Sequence, residues 1–186
     1  MVYKIIFIHG YTASSKADWY PNISKELDKL GTDYSIPDLP GNTRPHAKEW
    51  MDIIHKEAYK CSKPLVLVGH SLGTRAILLY LEKYKPKIDT IILIAPFANR
   101  LENAKRRNEY YSDFFTHKID IGKIKKMSNK FIVLHSKDDS SIDFEQGKEI
   151  AEDLDAEFYS VTGRDHLSGP DNYKYILDLL TNVLNL

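Results

Sequence analysis

Four short stretches of the chain are almost wholly apolar: residues 3–8, 65–68, 90–94 and 131–134. Continuous apolar runs of this length read as strands covered on both faces, as in a parallel sheet. Two weaker strands are expected at 33–36 and 156–161. Amphipathic stretches lie between them. In 19–30, Ile23, Leu27 and Leu30 recur at helical spacing, and Gly31 follows as a stop. Residues 45–60 and 72–85 are similar. The stretch 143–154 opens with Asp143 and Gln146 at capping-box spacing. In 171–184, Tyr175, Ile176, Leu179, Leu180 and Val183 share one face. Strand and helix in alternation specify an open α/β sheet with right-handed crossovers. The longest region without a clear strand, 97–129, is rich in charge and aromatics. It is expected to be helical and to lie over the C-terminal edge of the sheet.

Composition narrows the class. A length of 186 residues fits one domain with a real core. A content of 42% hydrophobic and 28% charged residues is that of a soluble globular protein. The 26 basic and 26 acidic residues cancel, so no field of one sign gathers nucleic acid or an anionic membrane. Lys105, Arg106 and Arg107 form the one tight basic run. The opening apolar run is short, has no basic leader and ends at His9-Gly10, so it reads as a strand and not a signal peptide. No stretch has the length of a membrane span. The single cysteine, Cys61, rules out an intrachain disulfide and permits a reducing cytoplasm, the expected compartment.

Chemistry enters at Gly69-His70-Ser71-Leu72-Gly73. This G-x-S-x-G pattern joins a buried strand to a helix, the setting of a nucleophile elbow. The chain must reverse sharply, which strains the backbone of the central residue. Glycines two places before and after remove side chains that would collide with neighbouring elements. The serine oxygen then stands clear above the sheet, and the N–H of Leu72, at the helix start, faces the place where an oxyanion forms. His9-Gly10-Tyr11-Thr12 follows the first strand. This loop supplies the other oxyanion N–H in such folds, from Tyr11 in preference to Thr12, with His9 bonding the loop.

A serine nucleophile needs a base. Of the seven histidines, His9 and His70 belong to these loops, His46 and His55 to a surface helix and its flank, and His117 to the charged region. His135 ends a strand just ahead of the candidate acid. His166 follows the last strand, in a loop at the same edge as the elbow, and completes the chain order serine, acid, histidine. The acid comes from the loop His135-Ser136-Lys137-Asp138-Asp139-Ser140-Ser141-Ile142. Asp139 is preferred because Ile142, three residues on, would plug the loop into the core. Asp138 is left to hydrogen-bond the loop. Asp165 reads as surface and Asp143 as a helix N-cap.

With these residues identified, the chain resembles the small α/β-hydrolases of the YdeN and retinoblastoma-binding-protein-nine type. The likeness is carried by Phe7-Ile8-His9-Gly10-Tyr11, Asp18-Trp19-Tyr20-Pro21, Ile36-Pro37-Asp38-Leu39-Pro40, the elbow, Ser136-Lys137-Asp138-Asp139 and His166. It covers nearly the whole chain. The resemblance implies a compact α/β-hydrolase of about six parallel strands in the order second, first, third, fourth, fifth, sixth, with helices on both faces and no large lid. It also implies that the second aspartate of the acid loop is the triad member. Two positions depart from the pattern. Asp143 stands where a proline often follows the aliphatic plug, and Asp165 stands where glycine often precedes the histidine.

The expected activity is a serine hydrolase that cleaves ester-like bonds of small acyl substrates through Ser71, His166 and Asp139. Aminopeptidase or amidase activity uses the same groups, and a partner-binding protein on this scaffold is a third reading. Thr12, Phe97, Phe114, Phe115 and Leu167 are candidate substrate contacts, because their loops lie at the catalytic edge; Tyr11 and Trp19 lie there too, although Trp19 and Trp50 fit packing better. No metal or cofactor is expected: there is no G-x-G-x-x-G after a strand, no P-loop and no Cys/His pair at zinc spacing. The pattern specifies no oligomeric state.

Overall fold

A computed structural model describes residues 3–97 and 109–186. The apolar runs become six parallel strands: β1 (Lys4–Ile8), β2 (Asp33–Ser35), β3 (Leu65–His70), β4 (Ile88–Ile94), β5 (Ser128–Ser136) and β6 (Glu157–Val161). They lie in the order β2-β1-β3-β4-β5-β6, as the resemblance implied. The helices are α1 (Tyr20–Lys29), α2 (Ala47–Tyr59), α3 (Leu72–Tyr84), the single turn α4 (Ile121–Ile124), α5 (Phe144–Leu154) and α6 (Tyr173–Leu184).

Alternation along each strand explains why the central runs are apolar at every position. Ile5, Phe7, Val66, Val68, Ile92 and Ile94 face one side and pack on Trp19, Ile23 and Leu27 of the α1 region and on Ile176 and Leu180 of α6. Ile6, Ile8, Leu67, Ile91, Leu93 and Val133 face the other side and pack on Trp50 and Ile54 of α2, on α3, and on Ile150 and Leu154 of α5. Each fully buried aliphatic side chain contributes about 1.5–3 kcal/mol of transfer free energy. Residues 72–81 of α3 are all buried, so this helix is wrapped by protein rather than half-exposed.

Polar ends of elements were the least legible. β5 begins three residues before the apolar run, because Ser128 and Lys130 pair with Ile88 and Thr90 of β4. Asp143 caps α5 by accepting the Glu145 N–H at 3.2 Å, but Gln146 Oε1 is buried without a partner, so the expected reciprocal box is only half made. Among the described residues, the expected helical region after Phe97 is α-helical at 109–110 and otherwise forms short turns around Ser112–Phe115, α4 and Lys125–Met127, before β5 begins at Ser128. The basic run Lys105, Arg106, Arg107 lies outside the described residues.

Arg75 ties this region to α3. It has 0% exposed surface. Its Nε donates to Phe114 O at 2.8 Å and its Nη2 to His117 O at 2.9 Å, and its guanidinium lies over the Phe115 ring. Burial pulls its pKa down to about 10, which still leaves it charged at neutral pH.

Close approach is tightest at Gly73, where a Cβ would stand 2.7 Å from His9 O and closer still to Ile8 O. Both neighbours are backbone, at the last residue of β1 and the one after it. Gly73→Ala is therefore expected to destabilise the fold by about 1–3 kcal/mol, the usual range for overpacking. Urea denaturation checks this; an unchanged midpoint would show that α3 has freedom to shift away from β1.

Candidate active site

Ser71 stands between β3 and α3 with φ 53° and ψ −122°, a conformation strained for a residue with a side chain. Its surroundings hold it there. The Ser71 N–H donates to Ile94 O at 3.0 Å, and the Thr74 N–H and hydroxyl both donate to Ser71 O, at 2.9 and 2.6 Å. A Cβ at Gly69 would meet Thr74 N at 2.9 Å. These are the clearances the elbow requires.

The last two strands deliver the other side chains to the same edge. His166 Nε2 lies 2.9 Å from Ser71 Oγ. On the far side of the ring, His166 Nδ1 lies 2.9 Å from Asp139 Oδ2 and 3.1 Å from Oδ1. The sequence therefore predicted three residues, 95 positions apart at the widest, that meet in one hydrogen-bonded line. The Asp139 side chain has no exposed surface, and that of His166 is 15% exposed. Asp139 Oδ1 also accepts the N–H groups of Ser141 and Ile142, both at 2.8 Å. Ile142 is buried, as the plug argument required. Burial opposes charge on Asp139, but bonds from His135, His166 and the Ile142 N–H outweigh it and hold the carboxyl well below the ordinary range.

Asp138 points elsewhere. It accepts the Ser136 hydroxyl at 2.7 Å and the N–H groups of Gly163, Arg164 and Asp165 at 2.7, 3.4 and 3.3 Å. The Ser136 hydroxyl foremost, with these N–H groups, lowers its pKa to about 2. Asp165 has φ 46°, a left-handed conformation that favours glycine. Its carboxylate accepts the Ser140 N–H at 2.9 Å and the Ser140 hydroxyl at 2.7 Å, which offsets that strain. The residue read as surface thus fastens the histidine loop to the acid loop.

The two remaining loop histidines are structural. His9 Nδ1 donates to Gly10 O at 2.9 Å and its Nε2 accepts the Leu39 N–H at 2.9 Å, so it bonds the loop as expected. His70 Nε2 donates to His166 O at 2.9 Å, while its Nδ1 is buried without a partner. Burial, and then the neighbouring His166, push His70 down to about 4.

Loop position did not predict side-chain direction for the candidate substrate contacts. Phe97, Phe114 and Leu167 are buried. Phe114 packs edge-on to Trp50 at 5.2 Å, and Leu167 belongs to the core on the α1 and α6 side of the sheet. These three, like Trp19, are core residues rather than open walls, because each loop at this edge needs an apolar plug. Phe115 is half-buried and stacks on Phe97 at 5.7 Å. Thr12 is exposed and turns its hydroxyl back to Tyr11 O at 2.7 Å. Tyr11 is half-buried, with its hydroxyl donating to Thr43 O at 3.0 Å. A concavity of about 390 Å³ lined by His55, Tyr59, Tyr80 and Tyr84 lies at the opposite edge, beside the starts of β3 and β4.

Comparison with known proteins follows this geometry. The profile of the serine hydrolase family matches residues 5–181. The chain belongs to the serine hydrolase family. It is 30% identical to YdeN of Bacillus subtilis (strain 168) over 190 aligned residues, covering 100% of this chain and 98% of YdeN. It is 25% identical to the serine hydrolase RBBP9 of Rattus norvegicus, covering 85% and 82% of the two chains. The crystal structure of the B. subtilis ydeN gene product superposes with a TM-score of 0.87 at 29% identity, over 98% of this chain and 99% of that one. For this serine hydrolase the earlier resemblance therefore holds in sequence and in fold. Among its described residues, no helix is long and apolar enough to cross a membrane.

The buried histidines give the hydrolase a pH signature. The unfolded chain takes up a proton at His70 near pH 6.5, the folded chain only near 4. Between those values acidification favours unfolding, so stability is fully present above about 6.5 and falls toward 4. His9, also lowered by burial, adds to the same slope. His70→Gln is expected to flatten part of that fall, as read by urea midpoints across this range. A slope unchanged by the substitution would show that His70 is protonated in the folded state.

Proposed function

We propose that this serine hydrolase cleaves ester-like bonds of small acyl substrates through Ser71, His166 and Asp139. The observation that carries the reading is the line of contacts from Ser71 Oγ through the His166 ring to Asp139, with a 2.9 Å bond at each end. Ser71 Oγ attacks the carbonyl carbon while His166 Nε2 takes its proton. The tetrahedral oxyanion is held by the N–H groups of Leu72 and Tyr11. His166 returns the proton to the leaving oxygen, the C–O bond breaks, and Ser71 carries the acyl group. Water, deprotonated by the same nitrogen, attacks the acyl carbon; the bond to Ser71 Oγ breaks, His166 returns the proton to Oγ, and the acid is freed. Asp139 keeps the His166 proton on Nδ1 and stabilises the imidazolium.

The bond to Ser71 distinguishes this reading from that of a binding protein on the same scaffold, which has no use for a base aimed at the serine oxygen. The chemistry draws only on side chains and backbone N–H groups, so it calls for no cofactor. Tyr11, Thr12 and Phe115, half-buried or exposed at this edge, are the proposed substrate contacts. Cys61, free of any disulfide, accords with a cytoplasmic location.

A fluorophosphonate probe is expected to label Ser71 in the folded protein and to leave Ser71→Ala unlabelled. Hydrolysis of p-nitrophenyl esters should fall in that variant by about a thousandfold or more. Full esterase activity in Ser71→Ala would remove Ser71 from the mechanism. Comparing p-nitrophenyl acetate through longer acyl esters then tests the substrate class; faster cleavage of the matched anilides than of the esters would favour amide bonds instead.

A further inference from the structure

His135 is the last but one residue of β5 and has no exposed surface, on the same strand face as Phe131 and Val133. An imidazole at such a position costs free energy unless it is hydrogen-bonded. Its Nε2 lies 3.2 Å from Asp139 Oδ2 and 3.2 Å from Ile142 O. Both are acceptors. Its Nδ1 is buried and has no partner. A proton on Nδ1 would have nothing to bond, whereas one on Nε2 meets two acceptors, so the ring carries its hydrogen on Nε2.

The surroundings of Asp139 show what that hydrogen does. A carboxylate offers about four lone-pair sites. Two are taken on Oδ1 by the N–H groups of Ser141 and Ile142. His166 Nδ1 approaches Oδ2 more closely than Oδ1. His135 is the fourth donor, and it too addresses Oδ2. The Asp139 side chain is fully buried, so bulk water does not supply a replacement. Oδ1 is thus fixed by backbone, while Oδ2, the oxygen facing the base, has a side chain to fix it from behind.

We propose that His135 is a positioning residue for the acid: its Nε2–H sets the rotation of the Asp139 carboxylate so that Oδ2 faces His166 Nδ1. The ring is itself held by α5. A Cβ at Gly147 would stand 2.7 Å from the His135 Cγ and closer still to Nδ1, and Phe144 meets the ring edge-on at 5.8 Å. Gly147 is therefore the place where α5 admits the imidazole. The chain runs from α5 through His135 and Asp139 to His166, and only its last member touches Ser71. This rests on Ser71, His166 and Asp139 working as the reading above has them.

The test measures kcat and KM for p-nitrophenyl butyrate in His135→Leu, His135→Gln, His135→Asn, Gly147→Ala and Asp139→Asn, with thermal melting as the check on folding. His135→Leu is expected to lower kcat about tenfold to a hundredfold, the rate equivalent of one lost hydrogen bond to a charged group, with KM within about twofold. Glutamine places an amide nitrogen where Nε2 was, and should restore most of kcat. Asparagine reaches only as far as Nδ1, and should not. Gly147→Ala keeps the histidine but displaces it, and should fall with His135→Leu. Equal activity in the glutamine and asparagine variants would overturn the positioning role, and that contrast decides even where the leucine variant does not fold. A large loss in Asp139→Asn beside a wild-type kcat in folded His135→Leu would overturn the role of His135 alone. Unimpaired Asp139→Asn would overturn the triad on which it rests.

Discussion

The structure is organised around a backbone that cannot relax. β3 and α3 are both buried by protein, and the one residue between them, Ser71, is left in a conformation that costs on the order of 1–3 kcal/mol. The cost is carried by the neighbours. Ile94 of the adjacent strand accepts the Ser71 N–H, Thr74 donates twice to its carbonyl, and the absence of side chains at Gly69 and Gly73 lets α3 lie against the strands. Because the turn is held from both sides, Ser71 Oγ is presented at one edge of the sheet. The other functional loops follow strands that end at that edge.

Those loops behave as one hydrogen-bonded unit. Asp138 reaches from the acid loop to three N–H groups of the histidine loop, and Asp165 reaches back to Ser140. His70, from the elbow itself, holds the carbonyl of His166. His166 is therefore fastened from its own residue, from its neighbour and from the acid loop. Its flanking residues, Asp165 and Leu167, both have positive φ, and Leu167 plugs into the core. Asp165, where the resemblance leads one to expect glycine, leaves His166 in contact with Ser71, and its carboxylate makes bonds to Ser140 that glycine lacks. Neighbouring aspartates likewise separate by environment: one is buried and faces imidazoles, the other is exposed and gathers backbone donors.

Electrostatics follow the same division. Burial keeps His70 neutral at physiological pH, so it bonds the histidine loop without placing a positive charge beside the His166 ring. Arg75, by contrast, stays charged in the core, where the carbonyls of Phe114 and His117 and the Phe115 ring surround it. It anchors the segment that carries Phe115. Nothing in the local pattern around Arg75 singled it out. A basic residue on a helix usually faces water, and only the covering segment buries this one.

Periodicity was enough to place the strands, since a run buried on both faces must be apolar at every position, and the central runs are; their order followed from the resemblance. The meeting of Ser71, His166 and Asp139 was legible for a related reason: each follows a strand, where chain order and loop register constrain its place. The elbow glycines could be read because a missing side chain has a single steric meaning there. What the sequence did not decide was side-chain direction within loops. Phe97, Phe114 and Leu167 occupy the right loops and yet fill the core, and Asp165 and His135 bond the acid loop when spacing alone assigned them no partner. Those outcomes depend on what lies across the sheet or in the next loop. A local pattern records a residue's own element, whereas burial and hydrogen bonding depend on elements brought close only by the fold.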